Sequence, residues 1–97
     1  MPDFFIKENS WIAKLAAAKL HSHKVAIVIR KTIHLHNTSK HDLLQNSTWL
    51  KHELRHIQQF KEHGYLNFIF KYLWESARHG YYNNKYEIEA REAEKMI

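Results

Sequence analysis

Residues 49–60 read "WLKHELRHIQQF" and contain His52-Glu53-Leu54-Arg55-His56. On a helix, histidines four residues apart project from one face, one turn from each other. At that spacing both imidazoles can hold a metal ion while the intervening glutamate reaches a water. With nine histidines and eight glutamates among 97 residues, roughly 0.07 such matches arise by chance, too many for the bare pattern to settle the matter. Support has to come from the surrounding residues.

At about 100° per residue, Trp49, Leu50, Leu54, Ile57 and Phe60 fall on one arc, the expected buried face. Lys51, Arg55, Gln58, Gln59 and Glu62 occupy the opposite side and read as the solvated face. His52, His56 and His63 line the edge between the two. Glu53 breaks the pattern, because it falls inside the apolar arc between Phe60 and Ile57. A buried ionised carboxylate without a partner costs several kcal/mol, on the order of a lost charge pair, so Glu53 implies a counter-charge, a proton or a polar cavity beside it. A divalent metal with its water, held by the adjacent histidines, supplies one.

A catalytic zinc ion takes three protein ligands and leaves the fourth position open. The chain has no cysteine, so the third ligand has to be a carboxylate or another histidine from downstream. Glu87 and Glu89 in "KYEIEAREAEKMI" are the first acidic candidates. The combination of His52-Glu53-Leu54-Arg55-His56 with a later Glu-x-Glu-Ala helix resembles the gluzincin clan of zinc metallopeptidases, and the length matches its smallest members, the minigluzincins. The clan's Glu-x-x-Ala-Asp frame, laid on Glu87-Ile88-Glu89-Ala90-Arg91, implies that Glu87 is the zinc ligand. Arg91 stands where the clan has an aspartate that supports a zinc-bound histidine, so another acceptor has to orient that ring. Taken without the resemblance, Glu87 and Arg91 have the spacing of an exposed ion pair.

The resemblance implies hydrolysis of a peptide bond in a peptide or protein substrate. Zn2+ sits on His52, His56 and Glu87, and Glu53 takes a proton from water as general base. Tyr81 and Tyr82, in the turn before the glutamate helix, are candidate donors to the developing oxyanion, with His79 a third. His34 and His36 from a strand, and Gln59 from the helix, are candidates to line the cleft. Two other readings compete: a zinc-binding protein of the same fold without catalysis, and a small basic domain that binds nucleic acid or a protein partner. The net charge of +5 invites the last reading. The lysines and arginines are scattered, however, and point to a solvated basic surface rather than a nucleic-acid interface.

The elements that position these groups follow from periodicity. One domain over 1–97 is expected, compact from about residue 9. After an N-cap at Asn9 or Ser10, "WIAKLAAAKL" places Trp11, Ile12, Leu15 and Leu20 on one side of a backing helix. The β-branched "KVAIVIRKTIHLH" predicts one bent strand or two short ones around Arg30-Lys31. Ile33 and Leu35 face inward there, and His34 and His36 share the exposed face. That histidine pair lacks a third metal partner and reads as exposed polar strand positions. A helix begins near Lys40–Leu44 or restarts at Ser47, and Gly64 ends it at His63. Further helices follow over "YLNFIFKYLWESARH" and, after the turn "YYNN", over "KYEIEAREAEKMI". The expected class is α+β: a minimal zincin-like domain with a short hairpin or small sheet packed on the His-Glu helix, a backing helix and a C-terminal glutamate helix. No apolar run approaches the roughly 20 residues of a membrane span, and no secretory signal is recognisable, so a cytoplasmic protein with no membrane partner is the expectation.

Overall fold

The β-branched segment folds as two strands, Val25–Ile29 (β2) and Thr32–His36 (β3), in an antiparallel hairpin. Arg30 takes the positive backbone angle (φ 59°) that the two-residue connection needs. A third strand, Phe5–Lys7 (β1), joins β3 in parallel with Ile6 opposite Ile33, giving the order β1-β3-β2. The computed structural model describes residues 4–96; of the expected single domain, 1–3 and 97 lie outside the described residues. β1 is an addition to the expected elements, which start at about residue 9. Three residues carry too little periodicity to register, and it is the pairing with β3 that makes them a strand.

Five helices complete the α+β fold: Trp11–Leu20 (α1), Lys40–Gln45 (α2), Ser47–His63 (α3), Tyr65–His79 (α4) and Lys85–Ala93 (α5). Both helix starts expected between Lys40 and Ser47 occur. Ser39 Oγ caps α2 through the Asp42 N–H at 3.0 Å, and Asn46 Oδ1 caps α3 through the Trp49 N–H at 3.0 Å. Gly64, with φ 85°, accommodates the break into α4.

The sheet is covered on both faces. Val28, Ile33 and Leu35 face the main core with Leu43, Ile57, Phe60, Phe68 and Tyr86. Val25 and Ile27 turn to the other face, where they meet Ala13, Ala16 and Ala17 of α1. The predicted apolar stripe of α1 is therefore corrected: Ala13 and Ala17 are its buried residues, while Trp11 is 67% and Leu15 60% exposed. Methyl side chains let the helix axis approach the sheet more closely than Leu or Trp would permit. The same helix corrects His34, which is buried rather than solvated, with its Nδ1 2.9 Å from Ser10 Oγ, the residue that also caps α1. Sequence alternation marks which strand residues share a face; it carries no information on whether a helix covers that face.

Asn84 links this scaffold to the site. Fully buried, it donates from Nδ2 to the Tyr72 carbonyl at 3.0 Å and Ser76 Oγ at 2.9 Å, both on α4, while its Oδ1 accepts the Tyr86 N–H at 2.8 Å and caps α5. One side chain thus sets the start of α5 against α4. Replacing Asn84 with Ala removes the cap and strands buried polar partners, and is expected to cost roughly 2–3 kcal/mol. Urea unfolding in excess chelator measures this.

Candidate metal centre

His52 and His56 lie one turn apart on α3, with ring centroids 5.0 Å apart. Glu87, in the first turn of α5, reaches between them: its Oε1 is 3.0 Å from His52 Nε2 and its Oε2 3.2 Å from His56 Nε2. One donor atom from each residue lies within 4.8 Å of the others, a group that can hold a metal ion. Tyr72 on α4 donates its hydroxyl to Glu87 Oε2 at 2.5 Å. Glu89 goes elsewhere. Its Oε1 accepts from Gln59 Nε2 at 2.9 Å and from Arg55 at 3.3 Å. Of the two acidic candidates, Glu87 is the one brought to the histidines.

The outer nitrogens of both rings are engaged as well. His56 Nδ1 donates to Gln59 Oε1 at 2.9 Å, and the Gln59 amide orientation follows because its Nε2 donates to the Tyr86 carbonyl and to Glu89. His52 Nδ1 donates to Glu94 Oε2 at 2.6 Å. In the neutral tautomer each Nδ1 keeps its proton, and each Nε2 turns a lone pair toward the shared centre. Glu94 fills the role left open by Arg91. It is seven residues, two turns, after Glu87 and so on the same helix face; that spacing was the signal for it in the sequence. Gln59, placed on the solvated face by periodicity, is instead fully buried and holds His56 rather than lining the cleft.

Glu53 is 4% exposed. It lines a cavity of about 390 Å³ together with His56, Tyr72, Tyr81 and Glu87 at one end, while β2, Phe60, Phe68, Ile69 and Leu73 form much of the rest. Burial pushes the Glu53 carboxyl up to about 7, against the pull of His56 and His52. Burial also opposes charge on His52, yet Glu87, Glu53 and Glu94 raise it to about 9; His56 is raised against the same burial by Glu87, Glu53 and its hydrogen bond to Gln59. Glu87 moves the other way: burial disfavours its ionisation, but hydrogen bonds from both histidines and Tyr72 hold it well below the usual carboxylate range.

Of the two tyrosine candidates, Tyr81 lines the cavity although the residue as a whole is 47% exposed, and partial desolvation of its hydroxyl with the charges of Glu87 and Glu53 raises the pKa of its phenol. Tyr82 is turned to solvent, its ring under the Arg91 guanidinium at 4.0 Å and its carbonyl accepting from the same group. Arg91 is thus engaged with Tyr82 rather than in the exposed pair with Glu87, whose carboxylate is buried. His79 is exposed at the end of α4. His34 and His36 alternate with Ile33 and Leu35 onto the α1 face of the sheet, and neither lines the cavity. Tyr72 escaped the sequence reading altogether; its signal was the i, i+4 pairing with the inward Phe68. No family model, curated protein or solved structure matches the chain, so the site is read from its own chemistry.

Two outcomes follow. Glu94→Ala should weaken zinc binding by about 10–100-fold in a competition titration, while the exposed Glu92→Ala leaves it unchanged. In chelator, the raised carboxyl of Glu53 and the raised imidazoles of His52 and His56 mean the folded chain binds more protons than the unfolded one. Their contribution is full at low pH and is lost between the ordinary glutamate value of 4.5 and about 9. His34, lowered by burial and Lys7, opposes this within the window, and the depressed Glu87 opposes it only up to about the ordinary glutamate value of 4.5. The urea midpoint of the metal-free protein should therefore fall as pH rises across that window. In excess zinc the slope should reverse, because protons compete with the ion for the same nitrogens.

Proposed function

We propose that this chain is a zinc-dependent peptidase of gluzincin type, in which His52, His56 and Glu87 hold the ion and Glu53 is the general base. The observation that carries the reading is the place of Glu53: only 4% exposed, it lines the same cavity as His56 and Glu87, and that burial pushes its carboxyl up. A purely structural metal centre has no use for a fourth titratable group kept near neutrality.

The donor set fits zinc. Two imidazole nitrogens and one carboxylate oxygen suit a borderline cation, and three protein donors are the number that leaves a position for water. When bound, the ion supplies Lewis acidity that lowers the pKa of a water and polarises a scissile carbonyl. Glu53 accepts the proton of the attacking water on its carboxylate and returns it to the leaving amine nitrogen. The Tyr81 phenol, protonated throughout the working range, donates to the oxyanion. Tyr72 fixes the Glu87 carboxylate, so that Glu87 keeps one orientation while the histidines change partner. The apolar walls keep bulk water from the reacting groups. β2 is an outer strand of the sheet and lines the cavity, so an extended peptide has a backbone edge to pair with.

Glu53→Gln keeps the shape of the side chain and removes its basicity. It should retain about one zinc per chain and lose about 10²–10⁴-fold in cleavage of an unstructured protein substrate, whereas the double variant His52→Ala, His56→Ala should lose both metal and cleavage. Metal analysis and a peptidase assay on the purified chain test this. A zinc-loaded parent protein that cleaves no unstructured substrate would return the site to metal binding alone.

A further inference from the structure

Helix α4 carries two apolar stripes. The inner one sends Phe68 into the core and Tyr72 onto Glu87. The outer one consists of Leu66, Phe70, Leu73 and Trp74, spaced i, i+4, i+7 and i+8 on one face. All four are between 58% and 70% exposed. Large apolar side chains scattered singly over a surface need no explanation, but four on one helical stripe mark an interaction site.

Cations border this stripe along its length. The Arg30 guanidinium lies 5.0 Å over the Tyr65 ring at one end of α4, and the Arg78 guanidinium 5.6 Å over the Trp74 ring near the other. Lys71, exposed and with its Nζ 3.4 Å from His63 Nδ1, lies between Tyr65 and Arg78 in the helix. The only acid in α4 is Glu75, and its Oε1 accepts the Lys85 N–H at 3.2 Å. The outer stripe also reaches the cavity: Leu73 lines it, as do Lys19 and Leu20 of α1.

We propose that the outer face of α4, with Lys19 and Leu20 of α1 beside the cavity, is a docking surface for an anionic lipid bilayer. An interfacial helix pairs an aromatic and aliphatic face with bordering lysine and arginine, as α4 does. Trp74 and Tyr65 are residues suited to the headgroup level. The 15 residues of α4 fall short of a span, and no described helix is long and apolar enough to cross a membrane. The contact therefore lies on the bilayer rather than through it. Anionic headgroups complement the bordering cations and the net charge of +5, whereas that same charge opposes bringing two copies together on this face. This assignment stands whether or not the metal centre is catalytic.

The test mixes the full chain with vesicles of phosphatidylcholine alone and of phosphatidylcholine containing phosphatidylglycerol, and reads co-sedimentation and tryptophan emission. Binding to the anionic vesicles with a blue shift, little binding to the neutral ones, and release by salt are the expected results. The double variant Phe70→Ser, Trp74→Ser should lose binding at least about tenfold, and Lys71→Gln, Arg78→Gln should lose about fivefold per charge. All four side chains are outside the core, so circular dichroism and melting of both variants should match the parent. Equal binding to both vesicle types, or to neither, overturns the proposal. So does a dimer in sedimentation analysis that the Phe70, Trp74 variant dissolves, since that outcome gives the face to a second copy.

Discussion

A carboxylate buried with two imidazoles and a phenol is the interaction on which the rest of this structure depends. Glu87 is 3% exposed, and a charge in that position is sustained only where enough partners replace the lost water. His52, His56 and Tyr72 do so from two other helices, so that α3, α4 and α5 meet at one atom group. The arrangement can hold protons, and its donor atoms lie close enough together to hold a metal ion. Without metal, protons held between the imidazoles and the carboxylate offset its charge; with metal, the same nitrogens and oxygen become its ligands.

Around that centre a second tier decides geometry rather than charge. Gln59 can accept from His56 only because its own amide donates to the Tyr86 carbonyl and to Glu89, and Glu94 holds the other ring from the end of α5. The His52 ring is therefore fixed directly from the end of α5, the helix that carries Glu87, and the His56 ring through Gln59 of α3, whose amide is itself anchored on Tyr86 and Glu89 of α5. A shift of α5 would disturb ligand and ring supports together, which explains why a fully buried asparagine pins its first turn to α4.

The cavity beside the centre shows how one helix can serve two environments. Phe68 and Tyr72 of α4 finish the core and the site, while residues on its other side remain in solvent. α1 makes the complementary choice, burying alanines and leaving its larger side chains outside. Both helices depart from the rule that the largest apolar residues face the core. In each case the spacing between elements, rather than hydropathy, sets which face is buried.

The sequence alone determined what depends on local spacing. The placing of two histidines and a glutamate on adjacent turns of α3 follows from 3.6-residue periodicity, and the misplacement of Glu53 in an apolar arc was already a sign of a counter-charge, a proton or a polar cavity beside it, since burial of that charge has a cost wherever the helix packs. The hairpin, the breaks at Gly64 and Gly80, and the choice of Glu87 and Glu89 as acidic candidates were legible for the same reason. Tertiary structure decided what depends on which surfaces meet. It separated Glu87 from Glu89, brought in Glu94, Tyr72 and Gln59, placed Tyr81 in the cavity and Tyr82 outside it, and hid His34 under α1. None of these follows from period, because each is a contact between residues brought together only by the packing of different helices and strands, and periodicity states which side chains share a face without stating what that face will touch.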